Sequence, residues 1–135
     1  LHVKRHSFPT RRSSDLTGVA RGERLLLVAR DATGIVGTVQ VVLAQPDNQP
    51  HRADVAKMLV HRRGRRQGTA ARLLAAAEDA ARAAGKTVLV LDTVTGGDAE
   101  RLYARSGWQR VGEIPNFALM PDGALCSTTY FHRQL

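Results

Sequence analysis

The stretch best equipped for chemistry is Val60-His61-Arg62-Arg63-Gly64-Arg65-Arg66-Gln67-Gly68-Thr69-Ala70. Its arginines precede Gly68, and an alanine-dominated run follows, with Leu73, Leu74, Ala77, Ala80, Ala81 and Ala84 at helical spacing. A helix start leaves backbone N–H groups unpaired and points the positive end of its dipole outward. Gly68 and the small Thr69 and Ala70 let an anion approach that backbone, so the segment predicts a phosphate-type site. It is not a Walker A loop: Gly64-Arg65-Arg66-Gln67-Gly68 lacks the glycine spacing and the following Lys-Ser/Thr. It is not a Rossmann start either, because the G-x-G opening is absent.

Two carboxylates could take a proton. Asp92 closes the apolar run Thr87 to Leu91, and functional groups gather at the ends of buried strands in open α/β sheets. Asp54 lies in Ala53 to Val60, where strand alternation puts it on one face with Ala56, Met58 and Val60. The blander readings are a turn cap for Asp92 and a solvated strand-end charge for Asp54. Cys126 has no identifiable histidine partner and reads as a strand thiol. His61 reads as a loop residue. Nothing pairs His132 with a ligand set, so no metal is expected.

The elements that must position these groups alternate in character. Arg24 to Arg30 and Ile35 to Ala44 read as a hairpin across the turn Asp31-Ala32-Thr33-Gly34. Ala53 to Val60 makes a third strand, and Gly68 to Ala84 a helix stopped by Gly85. Thr87 to Leu91 is a central strand, Asp98 to Arg105 a short helix, and Trp108 to Ile114 and Cys126 to Arg133 the last strands. The order β-β-β-α-β-α-β-β is that of a mixed α/β sheet flanked by helices.

Composition narrows the classes. The chain has 135 residues, one domain's worth, with 43% hydrophobic and 24% charged residues, which excludes wholesale disorder. One cysteine excludes an internal disulfide and fits a reducing, cytoplasmic setting. Apolar runs are only a few residues long, whereas a membrane span needs about 20. Aromatics at 4% argue against a stacking platform for single-stranded nucleic acid. His6 to Leu16 matches one reading frame of a common short-read sequencing adapter, residue for residue. Residues 1–16 are therefore read as a non-native, unstructured scar, and residues 17–135 as the domain. The net charge of +8 then falls to +5 for the domain.

Arg65-x-x-Gly68-x-Ala70, between a strand and a helix, resembles the acetyl-CoA motif R/Q-x-x-G-x-G/A of the GNAT acetyltransferases. One strand downstream, Ala99-Glu100-Arg101-Leu102-Tyr103-Ala104-Arg105-Ser106-Gly107-Trp108 resembles the family's A-x-x-L-Y-x-x-x-G-F signature, with Trp for Phe. Leu91-Asp92-Thr93, Ile114-Pro115, Pro121-Asp122-Gly123 and Thr128-Thr129-Tyr130-Phe131 are similar to the tabtoxin-resistance branch. The resemblance spans residues 24–135.

It implies a mostly antiparallel GNAT-type sheet and direct transfer from acetyl-CoA to a primary amine of a small molecule. Arg65, Arg66, Gln67, Gly68, Thr69 and Ala70 would cradle the pyrophosphate. Met58, Leu59 and Val60 would offer strand backbone to the pantetheine arm and the acetyl carbonyl. Tyr103 would protonate the leaving thiolate. The family's frequent asparagine seven before Tyr103 is Gly96 here, which leaves its cofactor contact to Asp98. Asp54 falls where some members carry a glutamate acting as base. The family fold begins with a strand and two helices ahead of the Arg24 hairpin; the scar stands in their place, so the chain reads as truncated and its activity as impaired. Other readings stay open: a protein N-terminus or lysine as acceptor, a non-catalytic acyl-CoA-binding remnant, and a homodimeric assembly. A nucleic-acid module is disfavoured, because the phosphates of one CoA account for the arginines.

Overall fold

The computed structural model describes the backbone of residues 2–6 and 14–135 and the side chains from residue 17 onward. Two units are distinguished, residues 1–89 with Leu135 and residues 90–134.

In the first unit, β1 (His2–His6) and α1 (Ser14–Ala20) precede the hairpin strands β2 (Arg24–Asp31) and β3 (Gly34–Val42). β1 pairs antiparallel with β2, His2 opposite Arg30 and His6 opposite Leu26. Residues 2–6 and 14–16, expected to be unstructured, are thus strand and helix, and both elements stand ahead of the hairpin. Pairing along a strand edge is made by main-chain groups, so an extended segment can join β2 without apolar alternation of its own. Pro9, with the rest of residues 7–13, lies outside the described residues.

The β2–β3 turn forms as its residues dictate. Asp31 accepts hydrogen bonds from the Thr33 backbone N–H at 2.8 Å and the Thr33 hydroxyl at 2.6 Å. Those bonds hold its carboxyl below the usual carboxylate range, with a smaller contribution from Arg63. After β4 (Arg52–Val60) come a short 3₁₀ turn, Arg62–Gly64, and α2 (Thr69–Ala83). Strands β1 to β4 are neighbours in chain order, and each adjacent pair is antiparallel.

α2 lies across β2, β3 and β4 and buries Leu73, Leu74, Ala77 and Ala81 against Leu25, Leu27, Val39, Val41, Ala53 and Val55. Each large side chain so buried contributes roughly 1.5–3 kcal/mol. The helix ends as a Schellman motif: Gly85 N–H donates to Arg82 O at 2.9 Å and Lys86 N–H to Ala81 O at 3.0 Å. Gly85 has φ +80°, which glycine adopts without a Cβ penalty.

In the second unit, β5 (Val88–Val94) leads through α3 (Asp98–Arg105) to β6 (Gln109–Leu119) and β7 (Leu125–Gln134). The strand order is β5-β7-β6. β6 runs past the expected end at Ile114 because its pairing with β7 shifts register between Ile114 and Ala118, with Asn116 at φ +55°. That irregularity accommodates Pro115, which has no N–H to give a ladder. Leu102, Tyr103, Trp108 and Phe131 are buried. The architecture is the mixed, mostly antiparallel α/β class that the sequence predicts.

Candidate active site

The segment between β4 and α2 is anchored at both ends. His61 N–H donates to Val36 O at 2.7 Å, and the His61 Nδ1 caps the 3₁₀ turn by accepting from Arg63 N–H at 3.2 Å. The buried Thr69 hydroxyl donates to Gly64 O at 2.9 Å, tying the first turn of α2 back to the loop. Between those anchors the chain takes left-handed conformations at Arg66 (φ +60°) and Gly68 (φ +73°). Among the described residues, the N–H groups of Arg66, Gln67 and Gly68 donate to no protein acceptor. They precede the N-terminus of a fifteen-residue helix. A Cβ built on Gly68 would project into open space. Free donors, a helix dipole and an open approach over glycine fit the pyrophosphate of CoA.

The arginines divide. Arg63 donates to Ile35 O at 2.9 Å and lies 3.7 Å from Asp31, so it braces the β2–β3 turn. Arg65 Nε donates to Val60 O at 3.4 Å, and the Gln67 amide to Arg63 O at 3.0 Å. Arg66 has neither an ion pair nor a hydrogen bond among the described residues, which leaves its charge for a bound anion.

β4 carries a feature the alternation did not foresee. Thr38 stands opposite Leu59 and Gln40 opposite Ala56, so Lys57 and Met58 together oppose Val39 alone. This is a bulge, with Lys57 at φ +52°. The extra residue flips the side-chain parity beyond it. Val60 pairs with Gly37, on the face that α2 covers with Ala53 and Val55, whereas Asp54 and Ala56 take the opposite face with Leu59. The expected single face of Asp54, Ala56, Met58 and Val60 is therefore split. The bulge also breaks the ladder at Met58, beside Leu59 and Val60. Asp54 is ion-paired with Arg52, which also binds Gln49 and Gln45 at 2.6 Å each. That carboxylate is committed to a local cluster.

In the second unit, α3 delivers Tyr103. The side chain is buried, with its ring 6.1 Å from Trp108 and 5.8 Å from Phe131. Burial raises the phenol above its ordinary 10.0, and the charge of Asp92 adds to the shift. Both causes disfavour the phenolate, so Tyr103 keeps its proton at neutral pH. Asp92 lies within β5 rather than at its end, exposed, with Oδ2 accepting from the Thr128 hydroxyl at 2.7 Å. Thr128 Oγ1 also lies 2.9 Å from Thr93 O. The sequence reading gave Thr128 no role, although the residue lay in a segment already singled out. Asp98 opens α3, where it is exposed and paired with Arg101 one turn on. Glu100, in the first turn, accepts from Gly96 N–H ahead of the helix. No group of three or more His, Cys, Asp or Glu able to hold a metal occurs among the described residues.

Comparison with known proteins agrees with this fold. A ribosomal-protein-alanine N-acetyltransferase from Brucella melitensis superposes with TM-score 0.78 at 21% identity, covering 89% of this chain and 74% of that one. A Salmonella typhimurium protein solved with its cofactor acetyl-CoA gives 0.77 at 22% identity, covering 89% and 71%. An IAA acetyltransferase from Bacillus cereus gives 0.77 at 16% identity, covering 99% of both. The family model of the acetyltransferase (GNAT) domain matches residues 22–110, from the start of the first hairpin through the Tyr103 helix. The chain belongs to the GNAT acetyltransferases, enzymes that draw acetyl groups from acetyl-CoA.

Proposed function

We propose that the chain transfers the acetyl group of acetyl-CoA directly to a primary amine of a small molecule. The observation that carries this reading is the segment Arg65 to Ala70. It presents free N–H groups and a left-handed Gly68 at the head of α2. Bound there, acetyl-CoA supplies an activated acyl carbonyl and a sulfur leaving group. Arg65, Arg66, Gln67, Gly68, Thr69 and Ala70 hold its phosphates. The β4 backbone at Met58, Leu59 and Val60 binds the pantetheine arm, and an N–H there stabilises the oxyanion. One such donor is worth roughly 3 kcal/mol.

The amine must be neutral to attack, and alkylammonium ions hold their proton at pH 7. Asp92 takes that proton, directly or through water; Asp54, bound to Arg52, is the weaker candidate. A C–N bond forms to give a tetrahedral adduct; as it collapses the C–S bond breaks, Tyr103 gives its phenolic proton to the departing thiolate, and the proton shed by the new amide nitrogen returns to the phenolate. Asp98 stands in for the side-chain contact that Gly96 cannot make. The small-molecule acceptor rests on similarity to the tabtoxin-resistance branch, two of whose segments meet where Thr128 bonds Asp92. The Brucella neighbour favours a second reading, in which the acceptor is a protein N-terminus.

The test is calorimetry with acetyl-CoA on the parent chain and on Gly68→Val, followed by transfer assays on small amines and on peptides. Gly68→Val should lose binding at least tenfold, because a branched side chain fills the approach that glycine leaves open. Equal binding by both proteins would sink the loop assignment. Acetylation confined to peptides would move the acceptor to the second reading. Binding without transfer would make the chain an acyl-CoA-binding remnant.

A further inference from the structure

The carboxyl end of α3 is gripped from β7. Arg133 Nη1 donates to Ser106 O at 2.8 Å, and Ser106 is the C-cap of the helix that carries Tyr103. Carbonyls at a helix C-terminus lack intrahelical donors and carry the negative end of the dipole, so a guanidinium there is doubly matched. The grip extends to Tyr103 through the backbone. Tyr103 O accepts from Ser106 N–H at 3.2 Å and from Trp108 N–H at 3.1 Å, the two residues flanking Gly107. Two residues before Arg133 on the same strand face, Phe131 packs its ring 5.8 Å from that of Tyr103. β7 thus holds both the ring of Tyr103 and the end of its helix.

Gly107 is required twice over. Its φ of +86° is the left-handed conformation that ends a helix, and a Cβ there would stand 2.7 Å from Arg133 Nη1. With no Cβ at Gly107, the guanidinium lies directly against that turn.

We propose that Arg133 is a positioning residue for Tyr103, holding the end of α3 so that the phenol keeps its place. The proposal rests on the reading of Tyr103 as the proton donor, and its test separates the two. Trp108 is the one tryptophan in the chain, and its ring lies 6.1 Å from that of Tyr103. A phenolate at that distance quenches indole emission, so Trp108 reports the ionisation of Tyr103. Tyr103→Phe identifies the quenching step by abolishing it.

The full chain and its Arg133→Met and Gly107→Ala variants are titrated from neutral to strongly alkaline pH. The parent should quench above pH 10, because burial and then Asp92 raise the phenol. In Arg133→Met the midpoint should fall by about one pH unit as the released helix end admits water to the phenol. The sign is diagnostic. Loss of a nearby cation alone would move the midpoint up, and Asp92 is present in every variant. Gly107→Ala keeps the arginine but drives a methyl against it, and should shift the midpoint the same way. It carries the test should Arg133→Met not fold. In transfer assays kcat should fall about ten- to a hundredfold with KM for acetyl-CoA unchanged, as for a misplaced donor. A midpoint that stays in place or rises in the folded variants would overturn the proposal. A downward shift in a chain that acetylates no amine would uphold the grip on α3 and remove the proton-donor reading of Tyr103.

Discussion

Gly37→Ala adds one methyl group where α2 crosses β3. The new Cβ would lie 2.8 Å from Leu73 Cδ1, 3.1 Å from Leu59 O and 3.3 Å from Thr69 Cγ2. Ordinary carbon–carbon contact is about 3.5–4.0 Å. None of the three neighbours yields freely. Leu73 is fully buried, Leu59 O belongs to the β3–β4 ladder, and Thr69 is fixed by its hydroxyl bond to Gly64 O. Relief must come from the first turn of α2 lifting off the sheet. Overpacking of this kind costs about 1–3 kcal/mol, and replacing a strand glycine by alanine returns roughly 0.5–1. Three contacts at once put the overpacking at the upper end, so the net loss is about 2 kcal/mol, a melting point lower by roughly 7 °C in a chain of this size. Urea denaturation and thermal melting measure the stability. An acetyl-CoA titration measures the loop, which should weaken because the displaced Thr69 pulls on Gly64. Gly68→Ala is the control for the stability measurement alone: its Cβ meets no protein atom, so its cost to folding is the left-handed strain of about 1–2 kcal/mol. If Gly37→Ala melts with the parent and binds acetyl-CoA as tightly, α2 does not seat on β3 as described.

Thr69→Val removes the hydroxyl from a buried carbonyl, and urea denaturation should show a loss of about 1–3 kcal/mol. Tyr103→Phe should lower turnover sharply while acetyl-CoA affinity, followed by calorimetry, holds. The same variant should flatten the alkaline stability profile. In the parent, the unfolded phenol releases its proton near 10.0 while the folded one retains it, so stability falls above that pH, as melts from pH 8 upward would show. Arg66→Ala should reduce the salt dependence of acetyl-CoA binding, seen in titrations at rising ionic strength. Arg63→Ala should leave that dependence intact and cost at most about 1 kcal/mol of stability.

The elements that depend on local chemistry were legible in the sequence. Asp31 and Thr33 build their turn from their own side chains, and Gly85 stops α2 through its own left-handed φ. The open turn ahead of α2 was legible because glycine and small residues at a helix start leave backbone N–H groups uncovered. What escaped was set by partners. The bulge at Lys57 arises from the register of β4 on β3, and an alternating sequence carries no mark of where a ladder slips. Its consequence, Asp54 facing away from Val60, was invisible for the same reason. Arg63 could not be told from Arg66 by type, since only the fold brings Asp31 and Ile35 O within reach of one of them. β1 escaped because main-chain pairing asks little of side chains. Asp92 was singled out, but Thr128, thirty-six positions away, could be joined to it only by β7.

That pairing has a consequence for proton traffic. Thr128 has one hydroxyl proton and two acceptors, Asp92 Oδ2 at 2.7 Å and Thr93 O at 2.9 Å. While Asp92 is ionised, the proton points at the carboxylate. Once Asp92 is protonated it becomes a donor, and a hydroxyl still aimed at it would set hydrogen against hydrogen. A turn about the Thr128 C–O bond resolves the conflict: the proton swings to Thr93 O, and the freed lone pair receives the carboxylic acid. The three groups share one hydrogen bond before the turn and two after it. On the proposed role of Asp92 as the amine's base, Thr128 would be the rotor that lets the proton arrive with no heavy atom moving. A valine at that position would deprive both Asp92 Oδ2 and Thr93 O of that hydroxyl.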